Sequence, residues 1–146
     1  WRSNLEQVQE FLALDNDYDT ARAWVESNAG SLGDAYGFSK QCIIVYTMTM
    51  AQQLAQRDIR INCIAPSPTD SAFMQKLTGE GEIPEEAVAL FLPSNKRYAT
   101  GEDMGAPLVM LNSRLAKFVS GQNLPVDFGY CAEVLMGQRD DLMGIA

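Results

Sequence analysis

The sequence predicts an α/β fold in which helices cover a parallel sheet. A long helical pattern, residues 36–57, runs directly into a short apolar strand, Ile59 to Ala65, which Pro66 ends. A second candidate strand, Gln122 to Asp127, follows further helical segments. Because helices and strands alternate along the chain, we expect a doubly wound sheet.

Two strands are too few for such a sheet, so most of it is expected to lie outside these 146 residues. No G-x-G-x-x-G motif follows a strand, and the turn that cradles a dinucleotide phosphate is therefore also missing from the sequence. The chain begins with Trp1 and not with Met, which is typical of a fragment or a processed product.

Shorter helices are predicted around these elements. Leu5, Val8 and Phe11 recur at helical spacing, and a second short helix surrounds Trp24 before a glycine-containing loop ends it at Gly33. A loop over residues 67–81 with a helix over 72–77, a helix that starts at Pro84 and stops by Pro93, and a helix over 102–112 are expected between the two strands.

Composition excludes several functions. The net charge of −8 argues against nucleic acid and anionic membranes as partners, and no apolar run is long enough to cross a bilayer. Cys42, Cys63 and Cys131 are widely spaced, which favours reduced thiols in a cytoplasmic protein. The absence of histidine removes His-based triads and the usual zinc sites, so no metal site is expected.

The pair Tyr36 and Lys40 is the first candidate for chemistry. In a helix, residues four apart lie on one face, one turn apart, so the ammonium would favour the phenolate form of the tyrosine. A phenol in that setting is a tunable proton donor and acceptor. Taken alone, the pair favours a different interpretation, a tyrosine packed on the core and a solvated lysine.

Three motifs in sequence order resemble the C-terminal half of a short-chain dehydrogenase/reductase. They are YGFSK at residues 36–40, INCIAPS at 61–67 and GQNLPVDFG at 121–129. The resemblance covers nearly everything from residue 33 to residue 129. It implies the C-terminal part of a Rossmann-like sheet, with NAD or NADP as cofactor and hydride transfer between the nicotinamide and a secondary alcohol or ketone.

The same resemblance implies roles for individual residues. Tyr36 would be the acid/base, and Lys40 would be its charge partner and a ligand of the nicotinamide ribose. After the strand, where the family expects P-G-x-x-x-T, the chain reads PSPTDS. The cofactor-binding candidates there are Pro66, Ser67, Thr69 and Ser71.

Two positions depart from the family pattern. Ser67 replaces a glycine after the strand, and Phe128 replaces the middle glycine of the usual D-G-G.

Three apolar residues that follow Ser71 would line an apolar substrate pocket, although ordinary core packing is an equal alternative for them; they are Phe73, Met74 and Leu77.

Residues 1–33 are similar to the helical insertion that precedes the tyrosine in bacterial 3α-hydroxysteroid dehydrogenase-like members. The family's catalytic serine would then lie before Trp1, with Ser3 as a fallback. The core of the domain would be residues 34–129, and residues 130–146 a tail. The resemblance also implies a homodimer or homotetramer and permits a hydroxysteroid-like substrate.

Two other functions stay open at this point. A catalytically silent relative would act as a binding or assembly module, and an epimerase or dehydratase would keep the same Tyr and Lys with a tightly held cofactor. In each case we expect the 146 residues alone not to turn over substrate, because the phosphate-binding turn and the serine lie elsewhere.

Overall fold

A computed structural model of the protein describes residues 1–14, 17–79 and 83–145. It confirms the α/β class. The helices and strands, in chain order, are α1 Leu5–Leu12, α2 Tyr18–Asn28, α3 Ala35–Ala55, β1 Asn62–Pro66, α4 Ala72–Gly79, α5 Glu85–Ala89, α6 Gly101–Asn112, the 3₁₀ turn Arg114–Ala116, β2 Gln122–Val126 and α7 Tyr130–Leu135. The end of the loop that the sequence predicts to residue 81 lies outside the described residues.

The two strands of the described sheet are parallel and in the register Asn62 opposite Gln122 to Pro66 opposite Val126. Pro125 is accommodated because β2 forms an edge of the described sheet, where a missing N–H is tolerated.

The first strand starts later than the sequence predicts. Asp58 takes a left-handed φ of 56° after α3, and the Ile59 amide donates to the Leu54 carbonyl at 3.0 Å. This is a Schellman-type ending of the helix, which uses Asp58 and Ile59 to satisfy terminal carbonyls. The prediction that Ile59 belongs to β1 is therefore wrong, and pairing begins at Asn62.

The long helix α3 is buried on two sides. One side packs Phe38, Cys42 and Val45 against α1 and α2, together with Val8 and Leu32, to form a buried hydrophobic cluster. The opposite side contacts both strands. Two-sided burial explains why the apolar residues of α3 do not form one narrow stripe.

The segment that the sequence leaves as an undefined tail begins with the ordered helix α7. Both carboxylate oxygens of Asp127 cap its start, accepting from the amides of Gly129 and Cys131 at 2.9 Å each. Tyr130 and Val134 are buried on its inner face. Among the described residues, no helix combines the length and the apolar character that crossing a membrane requires.

Candidate active site

The first turns of α3 bring Tyr36 and Lys40 together. The helix begins after Asp34, whose Oδ1 accepts from the Gly37 amide at 2.6 Å. One turn further on, the Lys40 Nζ lies 4.8 Å from the centroid of the Tyr36 ring. Tyr36 is 64% exposed, so the alternative of a tyrosine packed on the core is not what the fold contains. Phe38 occupies the core instead.

The loop after β1 is held against the end of β2. The Ser67 amide donates to the Val126 carbonyl at 3.0 Å, and the Thr69 hydroxyl donates to the Ser67 carbonyl at 2.8 Å. Ser67 is buried and is not among the described residues with positive φ. A serine therefore replaces the expected glycine at this position without backbone strain.

Thr69 forms an isolated parallel bridge with Ala99. Its hydrogen bonds run from the Ala99 amide to the Pro68 carbonyl at 3.0 Å and from the Asp70 amide to the Ala99 carbonyl at 2.8 Å. In this pattern the amide and carbonyl of Thr69 itself point away from Ala99. The loop thus presents one backbone donor and one backbone acceptor side by side.

The expected substrate residues are only partly brought together. Ser71 caps α4, accepting from the Met74 amide at 3.2 Å. Met74 lines a cavity of about 180 Å³, whereas Phe73 is 60% exposed, and neither Phe73 nor Leu77 lines this cavity. The other lining residues are mostly polar, which differs from the apolar pocket that the sequence suggested: Asp70, Gln75, Thr78, Glu85 and Tyr98.

A second cavity, of about 130 Å³, lies at the carboxyl ends of the strands, where α/β proteins bind ligands. Ser67 and Asp127 line it from the strand ends, Arg97 from the segment before α6, and Asp103 from the first turn of α6. Arg97 binds Asp103 at 3.0 Å. A backbone hydrogen bond from Thr100, and then Arg97, hold the pKa of the Asp103 carboxyl below its ordinary value.

Sequence reasoning missed Arg97 and Asp103. The signal was present, because Thr100 and Asp103 have the spacing of a capping box, and the structure shows both of its hydrogen bonds. Within the described part of the chain, neither cavity includes Tyr36 or Lys40 among its lining residues. Ser3, the fallback for the family's serine, is exposed just before α1.

Comparison with known proteins agrees with the fold and with the family that the sequence resembles. Residues 20–131 match the family described as enoyl-(acyl carrier protein) reductase. Nodulation protein G of Rhizobium meliloti (strain 1021) is 32% identical over 109 residues, which are 72% of this chain and 43% of that protein. Coniferyl-alcohol dehydrogenase of Pseudomonas sp. (strain HR199 / DSM 7063) is 27% identical over 131 residues, 88% of this chain and 50% of that protein.

Among solved structures, ElxO with NADP bound is similar, with a TM-score of 0.57 and 28% identity over 66% of this chain and 39% of that one. The fold and these relatives define a class of oxidoreductases built on a Rossmann-type sheet. The chain belongs to the short-chain dehydrogenase/reductase family and corresponds to the C-terminal part of its fold. It spans half or less of the length of the relatives named here.

Proposed function

We propose that this chain carries the proton-transfer half of an NAD- or NADP-dependent oxidoreductase that interconverts a secondary alcohol and a ketone. The observation that carries the proposal is the Lys40 ammonium 4.8 Å from the exposed ring of Tyr36. This is a cation–π contact, and it places the ammonium and the phenol ring on the same face of α3. Membership of the family supports the same assignment.

In the proposed reaction Tyr36 moves the proton and Lys40 supplies the charge. When an alcohol is oxidised, the Tyr36 oxygen takes the hydroxyl proton; in the reverse direction it returns that proton to the carbonyl oxygen. A bound nicotinamide supplies the hydride acceptor or donor. Lys40 suits a second contact with the ribose because its ammonium is a flexible, compact donor with three N–H groups.

The loop after β1 fits the nicotinamide end of the cofactor. A carboxamide needs one donor and one acceptor, and Thr69 presents both on the side away from Ala99. The Ser71 oxygen already accepts from Met74, so its hydroxyl hydrogen is the part left to donate. Pro66 and Ser67 set the direction of the loop. Structures of relatives with NADP bound support this cofactor class.

For the substrate we propose an apolar alcohol or ketone of small-molecule size, held near α4. Phe73, Met74 and Leu77 would supply the apolar contacts. The proposed substrate class includes hydroxysteroid-like compounds. We also propose that residues 1–33 are an insertion, that the working protein is a cytoplasmic homodimer or homotetramer, and that the 146 residues alone do not turn over substrate.

The test uses the longest polypeptide that the gene encodes, with Tyr36→Phe and Lys40→Met as variants. Both should lower kcat for NAD(P)-dependent oxidation of secondary alcohols by at least a hundredfold, a range typical of acid–base groups. Tyr46→Phe, on the same helix and 48% exposed, is the matched control and should retain activity. Unchanged kcat in Tyr36→Phe would refute the assignment, and lack of turnover with any alcohol would favour the silent module.

A further inference from the structure

We infer that helices α1 and α2 position the first two turns of α3 through an aromatic brace, which we define as Phe11, Trp24 and Phe38. This inference rests on the proposed function, because the brace matters for the reaction only if Tyr36 and Lys40 carry it out. None of the three brace residues is itself a candidate for contact with substrate.

The brace is a closed triangle of rings. Phe11 lies 5.2 Å from Trp24 and 5.5 Å from Phe38, and Trp24 lies 5.8 Å from Phe38, measured between ring centroids. All three separations fall in the range of about 4.5–7 Å in which aromatic pairs add to the energy of burial. Each helix contributes one ring, so none of the three can shift without breaking two contacts.

The brace acts on the side of α3 opposite the candidate catalytic pair. Phe38 follows Tyr36 by two residues, which is a rotation of about 200° around a helix. Phe38 is 5% exposed, while Tyr36 is 64% exposed. The aromatic contacts therefore hold the start of α3 on its buried face, and the phenol on the opposite face stays exposed to solvent.

Polar contacts fix the same region. The Asn4 side chain donates to the Gln41 side chain at 3.0 Å, one residue beyond Lys40. The Trp24 indole N–H donates to Glu10 at 3.0 Å, which orients the ring in the brace. Both bonds connect α1, or the residue before it, to another element.

Such a device matters because proton transfer requires a closely set distance. A displacement of about 1 Å in a catalytic group can cost on the order of a hundredfold in rate. The end turns of a helix are less constrained than its middle, since the first amides and the last carbonyls have no intrahelical partners. We therefore assign Phe11, Trp24 and Phe38 as positioning residues for Tyr36 and Lys40.

The test compares Trp24→Ala, Trp24→Phe and the control Val25→Ala in the longest polypeptide that the gene encodes. Val25 lies on the same helix and packs against the same cluster without belonging to the brace. Trp24→Ala should lower kcat at least tenfold with KM values for alcohol and cofactor changed less than threefold. Trp24→Phe should restore most of kcat, and Val25→Ala should keep it.

Amide hydrogen exchange supplies a readout that does not depend on activity. In Trp24→Ala the amides of residues 37–41 should exchange at least tenfold faster, while those of residues 46–54 change little. The positioning role of the brace is refuted if Trp24→Ala has the same kcat as the unsubstituted protein. It is also refuted if the amides of residues 37–41 are equally protected in the two proteins. If the unsubstituted protein shows no turnover, the proposed function fails, and exchange alone decides whether the brace exists.

Discussion

Gly121 packs so tightly against Ala51 that a Cβ added at Gly121 would lie only 3.0 Å from the Cβ of Ala51. Gly121 comes directly before β2, and Ala51 lies on α3, the helix that carries Tyr36 and Lys40. Gly121 also has a φ of +73°. This contact sets how near the candidate catalytic helix lies to the sheet.

The substitution Gly121→Ala should destabilise the protein by about 2–5 kcal/mol. A left-handed φ costs a residue with a Cβ roughly 1–2 kcal/mol, and overpacking adds about 1–3 kcal/mol. Denaturant unfolding gives the free energy. Gly129→Ala separates the two causes, since Gly129 has a φ of +96° with nothing within 4 Å of an added Cβ. Equal losses in the two variants would show that the contact with Ala51 contributes nothing.

The substitution Phe128→Gly should stabilise the protein by about 1 kcal/mol. Phe128 has a φ of +51° and is 74% exposed, so it has the strain of the left-handed region with little burial to offset it. Phe118, fully exposed and not among the residues with positive φ, is the control. Phe118→Gly should lower the free energy of unfolding slightly, because glycine gains more freedom in the unfolded chain. Loss of stability in Phe128→Gly would contradict the strain argument.

The sequence was sufficient for features that depend on local spacing. Helical periodicity over Leu5, Val8 and Phe11 predicts α1, and one helical turn is enough to place Lys40 beside Tyr36. It was insufficient where a single residue sets a boundary. The sequence predicts the end of α3 to within two residues, but Asp58 adopts a conformation that usually belongs to glycine, so the cap that delays the start of β1 to Asn62 was not predicted.

The sequence also did not predict contacts between segments that are distant along the chain. The six residues of α7 are too few for periodicity, and the helix is defined by the cap from Asp127 and by the burial of Tyr130. The strand-end cavity joins Ser67 to Arg97 only because the two segments fold against each other. Sequence reasoning therefore predicted that Tyr36 and Lys40 lie together but did not predict the cavity.

The ion pair between Arg139 and Glu133 should make stability depend on pH in acid. A hydrogen bond from the Ser94 side chain, and then Arg139, lower the pKa of the Glu133 carboxyl from its ordinary 4.5. The Ser94 amide also donates to this carboxylate at 3.3 Å, and Arg139 pairs with it at 2.7 Å. Because the pKa is lower in the folded state, the stabilisation is complete at pH values above the ordinary pKa of 4.5. It is lost as the pH falls through the folded-state pKa.

We therefore expect Glu133→Gln to lower Tm at pH 7 and to have a shrinking effect as the pH approaches 3. Arg139 also donates to the carbonyls of Leu90 and Leu92, so the loss at pH 7 should loosen the segment after α5. Thermal unfolding between pH 3 and pH 7 is the measurement. Glu86→Gln, at an exposed position of α5, is the control. A Tm difference that is constant across this range would contradict the assignment.

The thiol of Cys131 should resist alkylation in the folded protein. Burial first, and then Asp127, raise its pKa from 9.0 to about 12, so near pH 8 the reactive thiolate is about a thousandfold rarer than in the unfolded chain. Mass spectrometry after iodoacetamide treatment should find Cys131 labelled only after denaturation. Asp127→Asn keeps an acceptor at the start of α7 while it removes the charge, and it should speed labelling several-fold; Asp140→Asn, on the exposed tail, should not. Rapid labelling of native Cys131 would show that the thiol lies outside the environment described here.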